Sequence, residues 1–171
     1  SAAFSCDGQK ILTASEDNTA RLWSRTGDSP AVYQHGGVVL SAVFSPDGQK
    51  ILTASTDWTA RLWSLAGETF AVFKHDDAVR SAVFSPEGQM ILTASNDHTA
   101  RLWSLAGESS KVLRHDAAVN SAVFFADGQM ILTAPADWTA RLWSRAGEST
   151  KIFRHNGPVN SAVFSPDGQM I

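Results

Sequence analysis

The sequence predicts an all-β fold built from repeated four-stranded antiparallel sheets, and three observations carry that prediction. First, the 171 residues repeat with a period of 40 and no slippage: Ser41-Ala42-Val43-Phe44-Ser45-Pro46-Asp47-Gly48-Gln49 is matched at 81–89, 121–129 and 161–169, and more loosely at 1–9. Four copies fill 1–40, 41–80, 81–120 and 121–160, a fifth begins at 161–171, and 19 of the 40 columns are identical in all four copies. A fixed period of this length marks a supersecondary unit that can bury its faces only against copies of itself. Second, each period holds four short segments of strand composition separated by turns rich in Gly, Pro and Asp. Third, no segment sets apolar residues at helical spacing over ten residues or more.

The elements follow in order along residues 39–78. Val39 to Phe44 is β-branched and aromatic and stops at Ser45-Pro46-Asp47-Gly48, a strong turn signal. Lys50 to Ser55 is the second strand. Thr56-Asp57-Trp58-Thr59 makes a tight turn in which the Asp carboxylate can take backbone amides. Thr59 to Ser64 is the third strand, Leu65-Ala66-Gly67-Glu68 turns again, and Phe70 to Lys74 is a short fourth strand. His75-Asp76-Asp77 leads into the next copy. Four strands and three turns in 40 residues make one blade of a β-propeller, and the whole chain, 1–171, reads as a single segment of such blades.

Composition narrows the function. At 43% hydrophobic and 18% charged the chain can bury a core, and its net charge of −3 is spread with both signs mixed. No basic stripe suits nucleic acid and no polybasic cluster suits a membrane surface. There is no run of eighteen apolar residues and no signal-like segment. The single Cys6 stands in the turn column of Pro46, Pro86 and Pro166 and reads as a small replacement residue. One thiol allows no intrachain disulfide, and the expected setting is cytoplasmic.

The motif residues carry a resemblance. His75, Ser-Pro-Glu-Gly at 85–88, Leu-Thr-Ala-Ser at 92–95, Asp97-x-Thr99 and Arg101-Leu102-Trp103 together resemble a WD repeat, with Leu-Trp-Ser where the family usually ends Trp-Asp. The likeness recurs in every copy, in the style of bacterial arrays of near-identical repeats, often attached to signalling ATPases or kinases. It implies a hydrogen-bonded network of one His, one Ser/Thr, one Asp and one Trp per blade. Carried over by motif, the complete sets are His35, Thr53, Asp57 and Trp63; His75, Thr93, Asp97 and Trp103; and His115, Thr133, Asp137 and Trp143. Ser55 or Ser95 could replace the Thr, but Pro135 fills that column in the fourth copy, which favours the Thr column. Gln34, Lys74, Arg114 and Arg154 stand where the family usually has Gly. Pro135 removes a backbone donor and is expected to loosen its blade locally.

A hydroxyl, a His and an Asp in one unit also invite a hydrolase reading. The same trio in every blade, with an indole as fourth member, points instead to a structural staple, because buried polar groups must be paired. No catalytic residue is expected. The His residues lack second ligands at metal spacing, and no Walker loop or dinucleotide fingerprint is present, so no metal or cofactor is expected. Arg21, Arg61, Arg101 and Arg141 form an invariant column that reads as half-exposed blade residues rather than an anion site.

Specific function lies in the columns that vary. Trp58, His98 and Trp138 follow the turn Asp, and Leu40, Arg80, Asn120 and Asn160 precede the Ser-Ala of the first strand. The resemblance places these loops on the rim most used for partners. Trp58 and Trp138 are either partner anchors, since Trp is enriched at binding hot spots, or packing residues on the neighbouring blade's loop. The expected function is a non-enzymatic scaffold that binds a protein or peptide at this rim; the alternative is a small-ligand or peptide sensor whose central pore collects polar groups from every blade. Family rings usually hold seven or eight blades, so two copies of this chain are expected to close an eight-bladed homodimeric ring. At the seam, His155, Val159 and Phe164 of one copy would serve Thr13, Asp17 and Trp23 of the other, with the N-terminal strand displaced.

Overall fold

The computed structural model describes residues 1–28 and 31–165, which form sixteen strands and no helix. The turn of the fifth copy, with Pro166, lies outside the described residues. Strands β1 (Ala2–Phe4), β2 (Lys10–Ala14), β3 (Thr19–Ser24) and β4 (Ala31–Gln34) form the first antiparallel sheet. The second holds β5 (Val39–Phe44), β6 (Lys50–Ser55), β7 (Thr59–Ser64) and β8 (Thr69–Lys74). The third holds β9 (Val79–Phe84), β10 (Met90–Ser95), β11 (Thr99–Ser104) and β12 (Ser109–Arg114). The fourth holds β13 (Val119–Phe124), β14 (Met130–Pro135), β15 (Thr139–Ser144) and β16 (Ser149–Arg154). Each sheet keeps its strands in sequence order, so every connection within a sheet is a hairpin. The outermost strand starts one residue before the sequence reading, at Thr69, because a bulge after Leu62 brings Trp63 opposite Thr69.

Burial explains why these residues make these strands. The second strand of the second, third and fourth blades is covered on both faces, and Ile51 to Ser55 are all buried, as a continuous Ile-Leu-Thr-Ala run requires, whereas in the first blade only Leu12 of that strand is buried. The outermost strand is an edge and alternates instead: Ala71 and Phe73 are buried between Phe70, Val72 and Lys74, which are exposed. Turn glycines fix the hairpins, as at Gly48 (φ 68°) and Gly67 (φ 96°), a backbone conformation that costs Gly nothing.

The core lies between blades rather than within them. Leu12, Leu22 and Tyr33 of the first sheet pack on Val39, Ala42, Ile51 and Trp63 of the second. The same columns join the second sheet to the third through Leu52, Phe73, Ile91 and Trp103, and the third to the fourth through Leu92, Leu113, Ile131 and Trp143. On the far side of the fourth sheet, Leu132 and Ala140 meet Val159, with Ala162 and Phe164 packed alongside. Val159, Ala162 and Phe164 therefore pack on the fourth sheet as the inner strand of each later blade packs on the sheet before it, and among the described residues 159–164 belong to no strand.

Candidate functional site

Each blade-to-blade junction carries a buried polar chain. At the first, the Trp63 indole N–H donates to Thr53 Oγ1 (2.8 Å), which lies 2.7 Å from His35 Nε2, while His35 Nδ1 sits 2.9 Å from Asp57 Oδ2. A carboxylate only accepts, so Nδ1 carries the ring proton and Nε2 accepts from the Thr hydroxyl. Burial pushes His35 below its ordinary value, which keeps this neutral tautomer. Burial alone would raise Asp57, but bonds from the Thr59 hydroxyl, the Gly36 N–H and His35 outweigh it and hold the carboxyl at about 2. The second junction repeats the geometry: Trp103 to Thr93 at 2.8 Å, Thr93 to His75 at 2.7 Å and His75 to Asp97 at 2.7 Å. The hydroxyls of Ser55 and Ser95 have another task. Each donates to a loop carbonyl of the preceding copy (Gly37, 3.0 Å; Asp77, 3.1 Å) and accepts the N–H of the turn Asp at 3.1 Å.

The third set departs from the expected one. Trp143 still donates to Thr133 (2.9 Å), but both ring nitrogens of His115 are buried without a hydrogen-bond partner. The cause lies in the fourth copy. Pro135 has no hydroxyl to tie the turn to the preceding loop and no N–H for Thr139, whereas Ser15 donates to Thr19 at 3.0 Å in the first copy. The β14–β15 ladder accordingly stops at Thr133↔Arg141, one pair short of its counterparts. Burial, helped by Arg141, holds His115 at about 4 against the raising influence of Asp137 and Asp116.

The Arg column belongs to the same chain, which the sequence reading missed. In Asp-x-Thr-x-Arg the three side chains share one face of the strand. Arg101 reaches Thr99 Oγ1 (3.0 Å), Asp97 (2.8 Å), the Lys74 carbonyl (3.2 Å) and Asp76 (3.0 Å), so it ties the turn to the loop of the preceding copy. Arg61 and Arg141 do likewise, binding Asp57 and Asp137 at 3.2 and 2.7 Å. The spacing of two between invariant Asp, Thr and Arg was the available signal.

The two ends hold incomplete sets. Trp23 donates to Thr13 (2.8 Å), yet no imidazole reaches Thr13, and the Asp17 side chain is 48% exposed against 10% for Asp57. At the other end His155 is exposed, whereas His35 and His75 are buried.

The tight turns present the varying residues. Asn18, Trp58, His98 and Trp138 all adopt positive φ, between 65° and 69°. Trp58 and Trp138 are 54% and 55% exposed, and His98 is exposed beside them in blade order. Arg80 bonds to Asn96 Oδ1 (2.7 Å), Asn120 donates to the Val159 carbonyl (2.9 Å), Leu40 is half-buried and Asn160 is exposed. Along the inner strands a concavity of about 470 Å³ is lined by Phe4, Val43, Phe44, Val83, Phe84, Val123 and Phe124, with Ser45, Ser85 and Cys6 as its polar contributors. This wall is apolar, in contrast to the polar pore of the sensor alternative.

At the first two junctions the chain is saturated. Thr53 and Thr93 are fully buried and already engaged by indole and imidazole, which leaves no approach for a substrate. Among the described residues no group of three His, Cys, Asp or Glu side chains is placed to hold a metal. A comparison with curated proteins gave no match. The family model for the WD domain, G-beta repeat, matches residues 1–24, 28–64, 67–104, 107–144 and 147–171. Its three middle units begin at the outermost strand of one blade and end at the third strand of the next, the span that each buried His-to-Trp chain bridges. That agreement of motif, blade and junction makes the chain a member of the WD-repeat family.

Proposed function

We propose that the chain is an interaction scaffold that binds protein or peptide partners through the tight-turn rim and assembles with a second copy of itself. WD repeats generally mediate protein–protein interaction and are typically non-enzymatic. The observation that carries the rim assignment is the conformation of Trp58 and Trp138. Positive φ favours Asn or Gly, and Asn18 occupies the same column. A Trp there costs conformational energy, and at 54–55% exposure it gains little packing in return. Two indoles held out under strain are suited to bury against a partner.

A peptide-display library panned against the wild-type chain and against a Trp58→Asn/Trp138→Asn variant tests the rim. The wild type should enrich peptides that the variant does not retain. Equal enrichment by both would place binding elsewhere. The self-assembly half of the proposal is that two copies of the chain close an eight-bladed ring, and light scattering at micromolar concentration should give twice the chain mass. A single free thiol at Cys6 fits a reducing, cytoplasmic setting.

A further inference from the structure

We propose that Asn156 is a site of spontaneous deamidation, a modification that puts a carboxylate into the loop beside Trp138.

The chemistry starts from the sequence. Five asparagines occur, and Asn156 alone precedes a glycine; Asn18, Asn96, Asn120 and Asn160 precede Thr, Asp, Ser and Ser. Glycine has no Cβ to crowd its own nitrogen. The Gly157 N–H gives its proton to solvent, and the nitrogen bonds to Asn156 Cγ. The bond from Cγ to the side-chain nitrogen breaks, and that nitrogen leaves as ammonia with a proton from solvent. Water then opens the succinimide ring at either carbonyl. One opening gives aspartate, and the other gives isoaspartate, in which the main chain runs through the side chain.

The structure supplies the access. Asn156 is exposed, and neither its side chain nor the Gly157 N–H has a hydrogen-bond partner among the described residues. The loop stays open when a blade follows it. Asp76 and Asp116 stand in the column of Asn156, and their side chains are 87% and 85% exposed. The next amides, Asp77 N–H and Ala117 N–H, also lack partners among the described residues.

The competing steps are locked. Asp7, Asp47 and Asp127 also precede glycine, and they could close the same ring. There the N–H groups of Gly8, Gly48 and Gly128 donate to the carbonyls of Ser5, Ser45 and Phe125 at 2.8, 2.8 and 2.9 Å. The carboxylates are turned to the N–H groups of Gln9, Gln49 and Gln129 at 2.9, 2.9 and 2.8 Å. A nitrogen whose proton is held by a carbonyl is not available to attack. Asn96 and Asn120 are held too, by Arg80 (2.7 Å) and by the Val159 carbonyl (2.9 Å). After Asn18, the Thr19 N–H is held by Asp17 at 3.0 Å.

The product has a defined place. His155 N–H donates to the Trp138 carbonyl at 2.8 Å, which joins this loop to the tight turn. Asp76 and Asp116 show that the blade accepts a carboxylate in this column, so the aspartate product adds one negative charge and leaves the packing alone. Isoaspartate lengthens the loop by a methylene.

The wild-type chain and a Gly157→Ala variant are held folded at mildly alkaline pH for days. Tryptic peptides are then read by mass spectrometry, and isoaspartate is measured by enzymatic methylation. Peptide 155–171 follows Arg154 and contains no Lys or Arg, so it is released whole. A Cβ at Gly157 meets nothing within 4 Å, so alanine fits, and melting checks the fold. The expected result is loss of the Asn156 amide before that of any other asparagine. Isoaspartate should appear in 155–171 and not at Asp7, Asp47 or Asp127, and Gly157→Ala should keep Asn156 over the same period. Asn156→Asp should melt with the wild type. An intact Asn156 in the folded chain overturns the proposal, and its loss from a urea-unfolded sample would show that the loop shields it. Earlier conversion at another Asn or at an Asp-Gly step, or equal loss in Gly157→Ala, also overturns it.

Discussion

Replacing Pro135 with Ser should stabilise the junction between the third and fourth blades. In the two intact copies the Ser hydroxyl makes two hydrogen bonds of 3.0–3.1 Å, to a loop carbonyl and from the turn Asp, and the fourth copy has neither. Each contributes about 1 kcal/mol, and the N–H regained for Thr139 about as much. Drawing the turn back toward the loop lets His115 meet Asp137 and Thr133, which relieves an orphaned buried imidazole worth about 1–3 kcal/mol. The freer unfolded chain offsets about 0.4–1 kcal/mol. The net gain is about 3–5 kcal/mol, or a rise in Tm of roughly 6–20 °C for a chain of this size. Calorimetry at pH 7 measures it, with the ring ¹⁵N shifts of His115 as a local readout. Pro135→Ala is the control, since it restores the N–H alone and should leave Tm nearly unchanged. If Pro135→Ser does no better than Pro135→Ala, or if the His115 ring shifts stay put, the account of this junction is wrong.

Other outcomes follow from the same chains of bonds. Thr93→Val keeps the shape but strips the hub from Trp103 Nε1 and His75 Nε2, and should cost about 3–4 kcal/mol by denaturant unfolding. Acid should weaken the fold in two stages. His115 is held at about 4, below its unfolded value, so the unfolded chain binds the extra proton and stability falls as pH drops from about 6.5 to 4, by roughly 2–3 kcal/mol. Asp57, held at about 2, adds a second loss only below about pH 4. A urea midpoint that is flat from pH 6.5 to 4.5 would contradict the first stage. Trp58→Asn should raise Tm slightly, because Asn tolerates positive φ, while removing peptide binding; a marked fall in Tm would show that the indole belongs to the packing.

The strands were legible in the sequence because each ends in its own turn chemistry: Ser45-Pro46-Asp47-Gly48 and Leu65-Ala66-Gly67-Glu68 stop the chain where the ladders stop. The hub Thr was legible only because Pro135 removed its rival. What stayed hidden depends on distances across junctions. The Arg column looked like a solvated strand face, since its carboxylate partners in the preceding loop lie 25 residues away, as Asp76 does from Arg101. The loss of the His115 bonds could not be read from the intact His, Thr, Asp and Trp columns. It follows from two atoms that Pro135 lacks, neither of which belongs to the motif.

The polar chains run out of step with the repeat: the imidazole of one 40-residue copy closes the set of the next. An array can therefore gain or lose one whole period at any cut point, inside a strand or inside a turn, and every His still finds its Thr, Asp and Trp. An insertion of any other length inside a strand shifts its register and separates an imidazole from its hub. Recombination between near-identical copies thus leaves the residues of each remaining junction intact, although it changes the number of blades available to close a ring. The tolerated unit of change in this chain is a period, not an element.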